Sequence, residues 1–169
     1  MCTFGHYVGV GEKAIPEMND QFQQYKGTYP YKTDSKNRVN VAAGWRPQAG
    51  ESLYMMPSFD RKSELPIIKV LTDVGIAARL EIIDANEPDV GERSEMKSAL
   101  KRNIRDASIN DQGKLLLIKA LADHAGIEAE SDVFLVAGDS HFEIWSAKNH
   151  AVVHGGLGVP ATKNKFNVF

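Results

Sequence analysis

The stretch DSKNRVNVAAGWRPQAG, Asp34 to Gly50, is written a second time as NDQGKLLLIKALADHAG, Asn110 to Gly126. At an offset of 76 residues an amide stands for a carboxylate, Lys114 for Arg38, and Leu115 and Leu117 for Val39 and Val41, and both runs close on Ala-Gly. A polar turn, a short apolar alternation and a glycine ending that recur together mark a duplicated supersecondary unit.

The unit can be traced outward from this stretch. Thr28 to Thr33 and Arg38 to Val41 read as short strands joined by the turn Asp34 to Asn37, because Asp-Ser-x-Asn is turn chemistry between two alternating runs, and a hairpin is expected. Ala43 to Ala49 reads as a helical turn ended by Gly50; Ala120 to Ala125 with Gly126 repeats it, glycine being the residue that takes a left-handed cap at least cost. Further on, Leu53 to Pro57 (LYMMP) matches Val133 to Ala137 (VFLVA), and Ile68 to Thr72 (IKVLT) matches Phe142 to Ser146 (FEIWS). The offset drifts from 76 through 80 to 74, so the insertions fall in turns.

Between the copies Ile76, Leu80 and Ile83 share one helical face, and Met96, Leu100, Ile104 and Ala107 share another, with Glu87-Pro88-Asp89-Val90-Gly91 as a break. The expected organisation is a flexible N-terminal extension (1–24), a first unit (25–72), connecting helices (73–104), a second unit (105–150) and a flexible glycine-bearing tail (151–169). The expected fold class is α+β, mostly β, with strands of both copies sharing one core, since neither half alone buries enough apolar surface.

Composition sets the class. At 169 residues, 43% hydrophobic and 25% charged, the chain has ordinary globular usage. Its longest aliphatic run, Leu115 to Ile118, is far short of a membrane span, and nothing at the start resembles a signal peptide, so a cytoplasmic protein is expected. The single cysteine, Cys2, excludes an internal disulfide and a cysteine zinc cluster. The net charge of -2 argues against a nucleic-acid partner only as an average. Residues 25 to 48 carry Lys26, Lys32, Lys36, Arg38 and Arg46 against Asp34 alone, and residues 95 to 119 carry six basic side chains against three acidic ones. Both basic windows contain a copy of the repeat, so folding is expected to gather them on one face.

From Tyr25 to about His150 the chain resembles the MraZ family, bacterial DNA-binding regulators built of two AbrB-like units. The resemblance rests on YKG followed by DSKNR and on the run from Ala107 to Trp145, with LLLIKALADHAG and the ending FEIW. The family motif is an Asp with an Arg four residues on, once per half; Asp34 and Arg38 match it, and Asn110 and Lys114 match in type. Asn37 stands where the family usually has glycine, and Gly113 keeps it. The resemblance implies tandem AbrB-like, swapped-hairpin units forming an intertwined β domain with flanking helices. It also implies ring-like homo-oligomers and binding to short direct repeats in double-stranded promoter DNA, typically ahead of cell-division and cell-wall genes, hence a nucleoid-associated place.

These residue types suit that chemistry. A guanidinium presents a rigid fork of donors matching the O6 and N7 edge of guanine, and a carboxylate beside it can hold the fork, so Arg38 is the candidate base reader and Asp34 its orienter. Alone, such a pair is an ordinary surface ion pair worth about 0–1 kcal/mol; duplication, the basic windows and the resemblance favour DNA contact. Lys114 and Asn110 are the corresponding candidates in the second copy, and Lys36 and Arg46 are candidates for phosphate contact. Trp45, Trp145, Phe134, Phe142, Met55 and Met56 are assigned to the core rather than to a stacking platform. His150 and His154 have helical metal-ligand spacing without a third ligand, so neither a metal nor a cofactor is expected.

Two other readings compete. Met1-Cys2 is the start of an N-terminal-nucleophile amidohydrolase, but no oxyanion-hole glycine pattern or substrate motif follows, and a non-enzyme with no small-molecule substrate is expected. An AbrB-type antitoxin, binding DNA and wrapping a toxin, is usually one hairpin unit with a disordered tail, whereas here the unit is doubled. Met18 offers an alternative start close to Tyr25, so residues 1–17 are expected to be dispensable.

Overall fold

Val39 and Leu115, equivalent positions of the two copies, face each other directly across an antiparallel strand pair, and both are fully buried. In this computed structural model, which describes residues 25–154 and Lys165, the elements follow the duplication. The first copy runs through β1 (Thr28–Lys32), β2 (Arg38–Asn40), a 3-10 turn (Ala43–Trp45), β3 (Leu53–Phe59) and β4 (Pro66–Thr72). Helices α1 (Asp73–Asn86) and α2 (Val90–Asn103) follow. The second copy is β5 (Arg105–Ala107), β6 (Lys114–Leu116), α3 (Lys119–Ala125), β7 (Asp132–Ala137), β8 (Phe142–Ser146) and α4 (Ala147–His154).

The expected hairpin is not what forms. Around Asp34 the chain does turn on itself, with Asp34 N–H donating to Arg38 O and Asn37 N–H to Asp34 O, but then the two strands part. β1 pairs antiparallel with β7 and β2 with β6, each with a strand of the other copy. β5 likewise pairs with β3. The result is an antiparallel sheet in the order β1-β7-β8-β4-β3-β5 and a separate two-stranded ribbon, β2-β6. Exchanging the copies leaves both orders unchanged, so a pseudo-twofold axis runs through the domain. It passes between Val39 and Leu115 in the ribbon and between Lys69 and Glu143 where β4 meets β8. The pairs Leu53 with Thr72 and Val133 with Ser146 are equivalent, which reproduces the 80 and 74 residue offsets read from the sequence.

The strands of both copies share one core. The inner face of the ribbon, Val39, Val41, Leu115 and Leu117, packs with Trp45, Met55, Ile68, Val70, Phe142 and Ile144. On the opposite face of the sheet Ile67, Phe134 and Trp145 form a smaller cluster, against which His150 of α4 stacks on Phe134 at a ring separation of 3.8 Å. The aromatic residues assigned to the core are there, and of the two methionines only Met55 is fully buried, Met56 being half-exposed.

Local chemistry explains the departures. Arg46 precedes Pro47, whose ring excludes the helical conformation from its neighbour; Arg46 is extended (φ -75°, ψ 141°) and the first copy stops at a 3-10 turn where a helical turn to Ala49 was expected. No proline interrupts the second copy, so α3 completes its turns and is capped by Gly126 at φ 70°. The break at Glu87 to Gly91 becomes a cap, Asp89 accepting from Glu92 N–H at 2.8 Å. α2 ends at Asn103, so Ile104 and Ala107 leave the helical face that the periodicity gave them and Ala107 joins β5. α4 runs to His154, past the expected unit boundary at residue 150. The expectations for residues 1–24, Cys2 included, and for most of the tail lie outside the described residues.

One test follows from the exchanged pairing. Residues 25–86 expressed alone leave β1 and β2 without their partner strands and expose Val39 and Trp45. Sedimentation and circular dichroism are expected to show an unfolded or self-associated fragment; a stable folded monomer would contradict the shared core.

Candidate functional site

The turn at Asp34 and the turn at Asn110 are built by the same bonds. Asp34 Oδ1 accepts from the N–H of Lys36 (3.0 Å) and of Arg38 (2.8 Å); Asn110 Oδ1 accepts from the N–H of Gln112 (3.0 Å) and of Lys114 (2.9 Å). A carboxylate and an amide oxygen do this equally well, which is why the amide at 110 preserves the turn. Both turns need one left-handed residue, supplied by Asn37 at φ 57° and by Gly113 at φ 78°. Asparagine is the residue that tolerates this conformation best after glycine. At Gly113 the guanidinium of Arg46 also lies where a Cβ would stand, so a larger residue there would push the Arg46 side chain aside. The turns are then tied to each other: Val41 N–H donates to Gly113 O and Leu117 N–H to Asn37 O, each at 3.0 Å.

The side chains break the symmetry. Asp34 Oδ2 accepts from Arg38 Nε at 2.8 Å and also lies 3.6 Å from Lys114 Nζ, so one carboxylate organises the cations of both copies. Arg38 is gripped at Nε, and its terminal nitrogens Nη1 and Nη2 make no hydrogen bond among the described residues. Among the described residues the Asn110 side chain bonds only within its own turn. Arg46 donates from Nε to Val41 O at 2.9 Å and lies over the second turn, and Lys36 is exposed. Asp34, Arg38 and Lys114 are thus brought together, with Arg46 and Asn110 on the flanking turns. Of the second basic window, Lys114 is the residue brought beside Asp34. Lys97 pairs with Asp84, Arg102 with Glu95 at 2.6 Å, and Lys119 with Asp123 at 2.9 Å, so these charges are neutralised locally.

The N–H of Arg38, then its Nε and the N–H of Lys36, hold the Asp34 carboxyl down at about 2, against an ordinary 3.8. A group whose folded pKa is depressed stabilises the fold above its unfolded pKa and loses that contribution as pH falls through the folded value. The Asp34 contribution is therefore complete above about pH 4 and is lost towards pH 2. Urea unfolding between pH 5 and 2 is expected to show a smaller loss of stability for Asp34→Asn than for the wild type, the amide keeping the turn as Asn110 does. Identical pH slopes in the two proteins would remove the clamp.

Among the described residues no group of three or more His, Cys, Asp or Glu could hold a metal ion, and His150 stacks on Phe134 while lying 4.6 Å ring to ring from His154. Burial, and then the neighbouring His154, lower His150 to about 4, so it is a neutral ring of the core. Among the described residues no helix is long and apolar enough to cross a membrane.

Sequence reasoning missed two members of the ribbon's outer face. With Val39 and Leu115 pointing inward, strand alternation turns Arg38, Asn40, Lys114 and Leu116 outward. The signal was present in RVNV and KLLL, but three leucines in a row hide which of them faces out.

No family model matches the chain. Three proteins named Transcriptional regulator MraZ are similar to it. That of Gluconacetobacter diazotrophicus is 27% identical over 128 residues, covering 72% of this chain and 77% of the relative. That of Herpetosiphon aurantiacus is 26% identical over 130 residues, covering 76% and 85%. That of Rickettsia canadensis is 28% identical over 120 residues, covering 69% and 76%.

Proposed function

We propose that this chain is a sequence-specific DNA-binding transcriptional regulator that lays the β2-β6 ribbon in the major groove of promoter DNA. The observation that carries the reading is the Arg38 guanidinium on the outer face of the ribbon, fixed through Nε by Asp34 with both Nη groups unbonded among the described residues. That is the fork needed for guanine O6 and N7, and a two-stranded ribbon is a shape the major groove admits. Lys114, sharing Asp34, brings a second charge to the same face; Lys36 and Arg46 stand on the turns where phosphates would pass. The similarity to proteins named as transcriptional regulators supports the same reading.

Within it, the exchanged strands are tandem AbrB-like, swapped-hairpin units, and the chain forms ring-like homo-oligomers that hold several ribbons against short direct repeats, upstream of cell-division and cell-wall genes. One ribbon offers few base contacts, so avidity supplies the remainder. A footprint on DNA upstream of the protein's own gene, with light scattering on the same sample, tests this. Protected, regularly spaced repeats and a mass of several chains are expected. Absence of any protected site would overturn the DNA reading, and a monomer at micromolar concentration the ring.

A further inference from the structure

The outer face of the ribbon carries four side chains in two cross-strand pairs, Arg38 opposite Leu116 and Asn40 opposite Lys114. The pseudo-twofold axis relates Arg38 to Lys114 and Asn40 to Leu116. Both equivalent pairs differ in kind: one half presents a fork and an amide, the other a point charge and an aliphatic group. Leu116 is 53% exposed, although the strand alternation that turns it outward normally places a polar side chain there, as at Asn40. An isolated exposed leucine is unremarkable on a general surface. Here it stands directly across from the guanidinium Arg38, on a face whose other three residues are polar or charged.

Resting on the DNA reading above, we infer that Leu116 is a specificity-determining residue that packs on the 5-methyl group of a thymine, and so makes the element read by one ribbon asymmetric. The thymine methyl is the one apolar feature in the major-groove pattern of the four base pairs, and an aliphatic side chain recognises it by contact alone. Asn40, the equivalent position, carries an amide able to pair with the N6 and N7 edge of adenine. A ribbon with identical halves would read a palindrome; this one has one half matched to a guanine and an amide-reading base, and the other to a methyl group beside a lysine contact. The two ends of the site are therefore chemically distinct, and the chain has one orientation on the duplex.

The test uses the full chain and a duplex enriched from a random-sequence pool by repeated rounds of binding, resynthesised with each thymine replaced in turn by deoxyuridine, which removes the methyl group and nothing else. Wild-type affinity is expected to fall about fourfold at one position, the size of one buried methyl group. It should be unchanged at the others. In Leu116→Ala and in Leu116→Asn that position is expected to become insensitive to deoxyuridine, while discrimination against replacement of the guanine is retained. Leu116 is exposed, so both variants should keep the wild-type unfolding midpoint. Enrichment of a duplex whose thymines are all indifferent to deoxyuridine, or a sensitivity that persists in both variants, overturns the inference and leaves the DNA reading standing. Failure to enrich any duplex overturns that reading and the inference with it.

Discussion

On the proposed DNA reading, Arg38→Ala is expected to weaken binding to the operator by about 1–3 kcal/mol, or roughly 5- to 150-fold, and to change binding to a scrambled duplex far less. The asymmetry comes from how Arg38 is held. Asp34 grips Nε and leaves the two Nη groups to present a preorganised fork, so the alanine variant loses two aligned bonds to one base edge rather than a diffuse attraction. Arg38→Lys is not expected to rescue it, because an ammonium keeps the charge and loses the fork. Lys114→Ala should behave differently, weakening all duplexes alike and lowering the dependence of log K on log salt by about 0.9 per lost phosphate contact. Fluorescence anisotropy on both duplexes at several salt concentrations separates the cases. An unchanged operator-to-scrambled ratio in Arg38→Ala would reduce the Asp34–Arg38 pair to a structural turn.

Trp45→Ala is the stability counterpart, expected to cost about 3–5 kcal/mol. Trp45 is 2% exposed and stands where the chain leaves the ribbon for the sheet. Its ring packs edge-on against Tyr29 at 5.1 Å and Tyr25 at 6.0 Å, and tilted against Phe142 of the other copy at 5.1 Å. Because Phe142 and Val39 also line this cluster, the cavity opens between ribbon and sheet, and collapse to fill it would require the exchanged strands to shift together. Since a domain of this size has about 5–15 kcal/mol in total, the variant is expected to be near the edge of folding. A urea transition moved to lower midpoint with an unchanged slope is the expected record. A loss under about 1 kcal/mol would mean that Trp45 is not the joint between the two layers.

Much of this was legible from the residues. The duplication placed the strands other than β5 and both turns, since turn chemistry and alternation are local, and even the drifting offset recurs in the strand register. Partner choice was not legible. Asp34 to Asn37 makes a tight turn whether or not the flanking strands pair with each other, and what separates β1 from β2 is the burial of Val39 against Leu115, a contact made 76 residues away. At the site, Arg38 and Asp34 announced themselves by spacing. That Lys114 would share the same carboxylate did not, because the sequence presents Lys114 with Asn110 as its own partner. The helix expected up to Ala49 failed on one residue, Pro47, whose effect on Arg46 the periodicity outweighed.

The axis between Lys69 and Glu143 has a consequence for how the two halves choose each other. In a dimer of identical chains, the residue on the axis of an antiparallel strand pair meets its own copy, so a charge there meets the same charge. Here β4 and β8 belong to one chain, and a lysine faces a glutamate. Burial and the nearby Arg79 depress the Lys69 ammonium, and Glu143 works against both. Cut apart and left to pair with themselves, the first half would set lysine on lysine and the second glutamate on glutamate, each directly opposed and destabilising. The seam is keyed: opposite charges stand in register only where the two different halves meet, and each half is expected to pair with the other in preference to itself.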